Sequence, residues 1–355
     1  MRMRSWMLAA LFFFLMFLGG CFGEPGEEKE PEVLPPSVEQ RTIGDYYPFT
    51  ADVHKEYVGY GNEFAEFRTY TDYILENQVQ ERVENPGTTV ARVLERSGGT
   101  LRLLYARGEA YYREDYLRNP GLRFEGRGED ILLMEPLVKG TTWTSLEGFR
   151  REITGVDVMV TVPYGTHPCL EVTTFRTGGD RDVEWYAEGI GLLKRSFFTG
   201  GEEISSSLKS LTQGVKLEQR IAFYFPQLDL GTYLKVEKVL SFGTNEVTRT
   251  VLQKAYLEAY DSLVAAAGAG PVLTQGTRIN SLYRNGAGAV RLDLNQAFLA
   301  EMNAGSAYEG MILQALVRTF GEYYGTDRLG LTIDGGPYES GHFYFPVGEY
   351  LSISQ

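Results

Sequence analysis

The stretch from Asn285 to Gly336 constrains the fold of this chain more than any other. Residues 289–294 alternate apolar and polar side chains, which predicts a half-buried strand. Ser306 and Glu309 have capping-box spacing, in which each side chain accepts a hydrogen bond from a free backbone N–H where a helix begins. The helix would end at a left-handed glycine and lead into a second strand. We therefore predict a strand, a capped helix and a strand.

Two strands and a helix are predicted before this stretch. Residues 220–226 and 233–242 have the apolar content of strands, and Thr248 can cap a helix that extends through Ala267. A further strand follows that helix. The order β-β-α-β-β-α-β favours an α/β sandwich, an α+β arrangement with helices on one face of a small sheet, over residues 216–355.

Residues 46–212 consist of short β-type runs separated by glycine-containing turns. Many such runs at intervals of roughly ten residues predict an all-β domain, either a sandwich or an open barrel. Ser97-Gly98-Gly99 and Thr177-Gly178-Gly179-Asp180 are typical of hairpin turns. The predicted strands are Phe64–Tyr70, Thr88–Glu95, Thr100–Arg107, Glu109–Tyr116, Phe149–Thr154, Val156–Val162, Cys169–Phe175, Val183–Ala187 and Leu192–Phe198.

The N-terminus has the layout of an export signal. Two arginines precede an uncharged apolar run from Trp6 to Gly20, which is shorter than the roughly 20 residues that a membrane-spanning helix needs. The residues Leu18-Gly19-Gly20-Cys21 resemble the bacterial lipobox, which implies that residues 1–20 are a lipoprotein signal peptide and that Cys21 is lipidated. An uncleaved anchor helix is the alternative. Both place the remainder outside the cytoplasm, on the extracytoplasmic face of a membrane.

The chain is acidic, and much of the acidity precedes the β-rich region. Residues 21–45 are rich in Pro and Glu, and such a stretch buries too little apolar surface to offset its ordering entropy, so we predict a disordered, extended linker. The net charge of −13 argues against nucleic acid as a partner, because phosphate binding depends on Lys and Arg. With Cys21 lipidated, Cys169 has no disulfide partner.

No sequence pattern indicates catalysis or a metal site. The three histidines are far apart and form no HExxH motif. His167 and Cys169 could suggest a Cys/His nucleophile, but no orienting Asn or Asp is evident, and a cysteine among apolar residues is typical of a buried thiol. Glu114-Asp115 and Glu129-Asp130 lack the ligand spacing of a calcium loop and predict solvated turns. We predict a non-enzymatic protein with no catalytic residue, no cofactor and no metal.

Several aromatic residues of the β-rich region could form either a glycan-binding platform or part of the core. Aromatic side chains are ordinary strand residues that fill sandwich interiors, so core packing is favoured. The residues concerned are Tyr111, Tyr112, Tyr116, Trp143, Trp185 and Tyr186.

The two fragments Pro136–Trp143 and Trp185–Lys194 resemble turns of extracytoplasmic lipoprotein β-domains, a likeness of fold only.

A series of short motifs runs from about Ile221 to Val347. The motifs are Ile221–Phe225, Thr248-Arg249, Gly270-Pro271, Gly276-Thr277 with Ile279, Val290–Leu294 with Phe298, Gly305-Ser306 with Glu309, Leu316–Phe320 and Ile333–Gly335. In this order and at this spacing they resemble the GerMN, or sporulation-and-germination, domain family.

This resemblance implies a non-catalytic, extracytoplasmic interaction module. We predict a lipid-anchored protein of the cell envelope whose GerMN-like domain mediates protein–protein assembly, in sporulation or spore germination. Its partners would be the membrane, through Cys21, and an envelope or sporulation protein. The alternative is a receptor or accessory subunit, unrelated to sporulation, whose β-rich domain binds glycan, peptidoglycan or lipid.

Overall fold

The structure is a computed structural model that describes residues 41–124, 126 and 128–353. These residues belong to one compact unit that begins at Arg41. The predicted signal peptide, the lipidation site Cys21 and most of the predicted linker lie outside the described residues. The short helix α1 (Ile43–Tyr46) covers the end of that linker and buries both of its terminal side chains.

Twelve strands between residues 53 and 213 form one antiparallel sheet, called here the curved sheet. Its first and last strands pair with each other at the centre, and successive hairpins continue outward on both sides to the edge strands β6 and β7. The strands are β1 (Val53–Tyr60), β2 (Phe67–Leu75), β3 (Gln78–Glu84), β4 (Thr89–Ser97), β5 (Thr100–Arg107), β6 (Asp130–Met134), β7 (Thr142–Thr144), β8 (Arg150–Val162), β9 (Gly165–Phe175), β10 (Arg181–Ala187), β11 (Gly191–Thr199) and β12 (Glu202–Gln213).

The two edge strands of the curved sheet approach each other, so the sheet encloses an interior. Trp143 Nε1 on β7 donates a hydrogen bond to the Ile131 carbonyl on β6 at 2.9 Å. Arg151 forms an ion pair of 3.0 Å with Asp130. No backbone ladder joins β6 to β7 in the described part of the chain. The prediction of an all-β region is confirmed, and of the two alternatives the structure is the open barrel.

Strand prediction in this region was wrong at two places. Residues 109–116 form no strand; they pass over β3, where Gln80 and Arg82 donate hydrogen bonds to their backbone carbonyls. The predicted strands 149–154 and 156–162 are one strand, β8, whose register shifts on both sides of Gly155. Five strands were not predicted: β1, β3, β6, β7 and β12.

The C-terminal part contains a long hairpin and a small mixed sheet. The hairpin strands β13 (Leu217–Gln227) and β14 (Thr232–Phe242) pair only with each other among the described residues. The mixed sheet has the strand order β15-β16-β17-β20, with β16 and β17 parallel. The remaining strands are β15 (Ile279–Arg284), β16 (Val290–Leu294), β17 (Arg328–Ile333), β18 (Tyr338–Glu339), β19 (Tyr344–Phe345) and β20 (Leu351–Ser352), and the helices are α2 (Thr248–Ala259), α3 (Ser262–Ala266), α4 (Ala297–Met302) and α5 (Ser306–Tyr324).

The predicted strand–helix–strand is confirmed as β16, α5 and β17, whereas both predicted N-terminal caps are wrong. Helix α5 ends at Gly325 with a φ of 66°, as predicted. Its N-cap is Gly305, and Ser306 makes no capping bond. The N-cap of α2 is Val247, and Thr248 Oγ1 instead lies 3.0 Å from the hydroxyl of Tyr73. Thr248 therefore bonds to Tyr73 instead of capping α2, and Ser306 caps no helix.

The helix predicted from Thr248 through Ala267 is divided into two helices. Helix α2 ends at Ala259, and the carboxylate of Asp261 then caps α3 by accepting hydrogen bonds from the amides of Leu263 and Val264 at 2.9 and 3.0 Å. An Asp at an N-cap satisfies two otherwise free donors, which makes a new helix start favourable at this position.

Arg113 joins the curved sheet to the C-terminal part. Its side chain is only 1% exposed and forms an ion pair with Asp72 of β2. The same guanidinium donates to the Gly243 carbonyl at 2.9 Å and to the hydroxyl of Tyr73 at 2.9 Å, and its backbone amide donates to Tyr323 of α5 at 3.0 Å. One buried cation therefore satisfies acceptors from both regions.

Candidate functional site

The inner face of the curved sheet carries charged side chains that a closed apolar core would exclude. Glu184, Arg195 and Ser206 are cross-strand neighbours on β10, β11 and β12, so they lie side by side on one face. The guanidinium of Arg195 stacks on the ring of Phe67, 4.5 Å from its centroid, and Nε lies 3.3 Å from Ser206 Oγ. Buried Leu193 on the same face of β11 shows that this is the interior side.

These residues line a cavity of about 450 Å³ at one end of the curved sheet. It is open to solvent and is of a size that a small ligand can occupy. Three arginines and two carboxylates lie on its wall, together with hydroxyl and apolar groups. The lining residues are Asn62, Phe64, Ala65, Arg151, Thr174, Arg176, Asp182, Glu184, Arg195, Ser196, Phe197, Ile204 and Ser206.

The charges of this cavity are unequally paired. Arg176 forms an ion pair with Asp182, and Arg151 with Asp130 outside the cavity. Arg195 is exposed and has no carboxylate within ion-pair distance among residues 41–124, 126 and 128–353, and desolvation lowers its pKa. Glu184, which lies opposite it in the β10–β11 ladder, has no ion pair among those residues either, so one cation and one carboxylate of the cavity are unpaired.

Further inside the curved sheet, a polar network lies beside a buried apolar cluster. Arg92 Nη2 lies 2.7 Å from Glu81 Oε2 and donates a hydrogen bond to the hydroxyl of Tyr47 at 2.8 Å. Tyr47 in turn donates to Glu81 at 2.9 Å. Lys55 Nζ donates to the Ile190 carbonyl at 2.7 Å, and burial lowers the pKa of this lysine. The interior of the curved sheet therefore combines apolar side chains with polar groups that bond to one another.

A second polar cluster lies in the C-terminal part, where the capping box was predicted. Glu309 is 2% exposed, and its carboxylate accepts a hydrogen bond from the hydroxyl of Tyr338 at 2.6 Å. The other carboxylate oxygen lies 2.7 Å from His342 Nδ1. Burial raises the pKa of Glu309, but hydrogen bonds from Ser340, Tyr338 and His342 outweigh it and hold the pKa below its usual value.

This cluster fastens the turn between β18 and β19 to the first turn of α5. A carboxylate beside an imidazole can hold or transfer a proton, and a cleft of about 570 Å³ lies next to it. The hydroxyl of Ser340, however, accepts hydrogen bonds from the amides of His342 and Phe343 at 3.0 and 2.9 Å, which makes it part of the turn. The observed contacts therefore indicate a structural role, in which this cluster holds the turn against the helix.

The remaining sequence candidates are distributed over the fold and are not brought together. Cys169 is fully buried, as predicted, and burial raises the pKa of its thiol to about 12. The ring of His167 instead stacks with Tyr164 at 5.7 Å between centroids. Within the described ranges, no group of three or more His, Cys, Asp or Glu side chains could hold a metal ion. Those ranges also contain no helix long and apolar enough to cross a membrane.

Core packing is confirmed for four of the six aromatic residues, since Tyr112, Tyr116, Trp143 and Tyr186 are buried. Tyr111 is exposed and Trp185 half-buried. The prediction of a solvated turn at Glu114 was wrong. This carboxylate is 7% exposed and accepts a hydrogen bond from the Arg284 amide at 3.2 Å, and burial raises its pKa to about 8.

The cavity residues were missed because each strand was considered alone. Within the predicted strands 183–187 and 192–198, Glu184 and Arg195 alternate in step with residues that prove to be buried, such as Tyr186 and Leu193. The available signal was a charged side chain at the same alternating positions of the strand as the buried apolar residues. It indicates an enclosed polar surface only when the sheet closes on itself.

Residues 222–339 match the family model "Germane: Sporulation and spore germination". This match runs from β13 to β18, and the C-terminal part of the chain that contains it is called here the Germane domain. The sequence-based recognition of a GerMN-related domain is confirmed. No curated protein matches the chain significantly.

Three solved structures are similar to parts of the chain. A candidate lipoprotein from Parabacteroides distasonis ATCC 8503 is 14% identical with a TM-score of 0.30, over 47% of this chain and 98% of that one. The first GerMN domain of the sporulation protein GerM from Bacillus subtilis is 22% identical with a TM-score of 0.29, over 38% and 97%. The tandem GerMN domains of the same protein are 17% identical with a TM-score of 0.27, over 38% and 46%.

Proposed function

We propose that the protein is a non-enzymatic lipoprotein, anchored through Cys21 to the outer face of a cell membrane, whose Germane domain mediates protein–protein assembly during sporulation or spore germination. The match of residues 222–339 to the Germane family carries this proposal. The apolar run that ends at Cys21 supports the anchoring.

An open strand edge in the Germane domain supports the assembly role. Strand β14 pairs only with β13 among the described residues, so its other edge presents N–H and C=O groups over 11 residues. Val239 on β14 is 56% exposed, and Leu230 at the hairpin turn is 70% exposed. An exposed edge with apolar side chains is a surface to which another protein can add a strand.

Site-specific photocrosslinking tests this role. A photoreactive amino acid at Val239 is expected to capture one recurrent envelope protein in sporulating cells, identified by mass spectrometry. The control position is Met159 on the curved sheet, which is 63% exposed. Equal capture of the same proteins at both positions would remove the assembly role from β14.

The anchoring and the physiology have separate tests. Cys21→Ala is expected to abolish palmitate labelling and to release the protein or leave it as precursor, and unchanged labelling would refute the anchor. A deletion strain is expected to lose spore yield or germination. Normal values for both would refute the sporulation role and leave the anchor untouched.

The cavity of the curved sheet favours a second function, the binding of an envelope ligand. A pocket of about 450 Å³ with convergent polar groups is typical of ligand sites. Incubation of the purified chain with sacculi and with membrane lipid extracts, followed by sedimentation, is expected to show binding of one of them. A protein that remains soluble in both mixtures would argue for assembly alone.

A further inference from the structure

We propose that the open edge of β14 pairs with the same edge of a second copy of this chain, as antiparallel strands in which Lys235 of each copy faces Glu237 of the other. The inference rests on the assembly role proposed above and names the partner in that assembly. It is carried by the order of the outward-facing residues on β14, which is complementary to itself when reversed.

The hydrogen bonds of β13 show which residues of β14 face the open edge. The backbone amide of Tyr224 donates to Thr319 Oγ1 at 3.0 Å, and its carbonyl accepts a hydrogen bond from the Tyr256 hydroxyl at 2.8 Å. Both groups of Tyr224 therefore point away from β14. Its cross-strand neighbour Lys235 must then point its own N–H and C=O away from β13, as must every second residue of β14. The outward-facing residues at the centre of the strand are Tyr233, Lys235, Glu237 and Val239.

The two edges of the hairpin differ in what covers them. On β13, the Pro226 carbonyl accepts a hydrogen bond from the Gly270 amide at 2.8 Å, and α5 covers the strand at Tyr224. On β14, no outward-facing backbone group has a hydrogen-bond partner within the described ranges. A strand added at this edge would satisfy those groups.

The side chains at the open edge favour a second copy as the added strand. From Tyr233 to Val239 the outward-facing residues are apolar, positive, negative and apolar. A two-fold axis at Val236 makes the strands antiparallel, so that Lys235 faces Glu237 and Tyr233 faces Val239, each pair occurring twice. Opposite charges directly across a ladder stabilise it.

Other registers lose this match. A shift of two residues places Lys235 opposite Lys235 in one direction and Glu237 opposite Glu237 in the other, and like charges directly opposite are destabilising. A shift of one residue sets outward-facing backbone groups against inward-facing ones, which breaks the ladder. Exposed lysines normally protect a strand edge from pairing, so this edge selects a strand with a carboxylate at the matching position.

Contacts within one chain leave these charges available. Lys235 Nζ lies 3.0 Å from Glu322 and 3.5 Å from Glu237, but the three side chains are between 42% and 47% exposed. Water screens such pairs, so they hold the lysine only weakly in place. The same groups can therefore pair across the two copies.

Sedimentation velocity of the purified full chain in a non-ionic detergent, over a series of concentrations, tests the proposal. Wild type is expected to show a monomer–dimer equilibrium. Lys235→Glu and Glu237→Lys are each expected to raise the dimer dissociation constant tenfold or more, because each sets like charges opposite each other twice. An equimolar mixture of the two variants restores opposite charges at both positions and is expected to dimerise as wild type does. A mixture no more dimeric than its components would overturn the proposal.

Lys209 provides a matched control. It lies on the curved sheet, is 57% exposed and is 3.5 Å from Glu56. Lys209→Glu therefore makes the same change of charge beside an equivalent exposed carboxylate, and its effect on the dissociation constant is expected to be less than twofold. A loss equal to that of Lys235→Glu would show a general effect of charge and would also overturn the proposal.

Disulfide formation tests the register with all charges intact. A mixture of Tyr233→Cys and Val239→Cys is expected to form a linked dimer on mild oxidation, since these two positions face each other across the axis. Neither variant alone should link to itself, because about 20 Å of strand separates each position from its own copy. Self-linking of either variant as efficient as linking in the mixture would contradict this register.

The outcomes separate this proposal from the assembly role on which it rests. Capture of this chain itself by the photoreactive residue at Val239 supports both. If wild type stays monomeric throughout the series and Val239 captures a different envelope protein, the proposal fails and the assembly role stands. If wild type stays monomeric and Val239 captures nothing more than Met159 does, both fail.

Discussion

The curved sheet and the Germane domain enclose different interiors. The Germane domain buries a continuous apolar cluster in which Phe223, Leu316 and Phe320 are completely inaccessible. The curved sheet has an apolar layer of its own, yet it also places Arg92 with Glu81, and Arg195, on its inner face. Helices packed on a small sheet must exclude water to be stable, whereas a sheet that closes on itself can retain a polar interior. Four substitutions test this difference, and they are given in order of decreasing expected effect.

The largest effect is expected where the two regions meet. Arg113→Met leaves the buried carboxylate of Asp72 with one cationic partner instead of two and removes bonds to the Gly243 carbonyl and Tyr73. Breaking a buried ion pair costs about 3–5 kcal/mol of unfolding free energy. Urea unfolding followed by circular dichroism and by tryptophan fluorescence measures this loss. A variant as stable as wild type would show that the two regions do not depend on this arginine.

The second effect concerns pH at the same boundary. Because the pKa of Glu114 is raised to about 8 in the folded chain, the folded state keeps a proton that the unfolded state has lost above its ordinary pKa. The stabilising contribution is thus complete below the unfolded pKa and is lost as the pH rises through the folded one. This group alone contributes a fall of up to about 1.4 kcal/mol per pH unit.

Glu114→Gln isolates this contribution, since the amide oxygen can still accept the hydrogen bond from Arg284. Unfolding free energies measured from pH 5 to pH 8 are expected to fall more steeply for wild type than for the variant. Parallel profiles would contradict the raised pKa.

The third effect lies wholly within the Germane domain. Glu309→Gln weakens the bonds from Tyr338 and His342 and leaves buried polar atoms poorly matched, a cost of about 1–3 kcal/mol. Because the pKa of Glu309 is lowered, its stabilisation is present above the unfolded pKa and is lost as the pH falls through the folded one. Thermal unfolding at pH 7 and pH 3 is expected to show a difference between variant and wild type at pH 7 that shrinks at pH 3.

The smallest effect is expected at an exposed pair of the long hairpin. Arg220 and Glu237 lie 3.5 Å apart with side chains 71% and 45% exposed. Water screens such pairs, so Arg220→Gln should change the unfolding free energy by only about 0–1 kcal/mol. Urea unfolding beside Arg113→Met provides the check. A loss comparable to that of Arg113→Met would show that burial does not separate the two arginines.

The Germane domain was more predictable from sequence because its signals are local. The alternation in β16, the apolar spacing of α5 and the left-handed Gly325 each depend on a few neighbouring residues. The capping box failed because Glu309 has partners about 30 residues further along the chain, at Tyr338 and His342, which local spacing cannot show.

The curved sheet was less predictable because both of its faces bury polar side chains. In β3, Gln80 and Arg82 are buried on the outer face, under residues 109–116, and the inward positions of β12 include Ser206. Neither strand shows the apolar alternation on which strand prediction depends. The candidate site was hidden for the same reason. Arg195 becomes a site residue only when β10, β11 and β12 are placed side by side.

The contact between the edge strands β6 and β7 has a mechanical consequence. The hydrogen bonds and ion pairs that cross it each involve a side chain: the Trp143 indole, the Arg151 guanidinium, and the Asp130 carboxylate, which accepts from the Leu146 amide. Because no backbone ladder joins β6 to β7 in the described part of the chain, the circumference of the curved sheet is set there by side-chain contacts and by the connecting residues 135–141. Loss of these contacts leaves every strand paired with its existing neighbour.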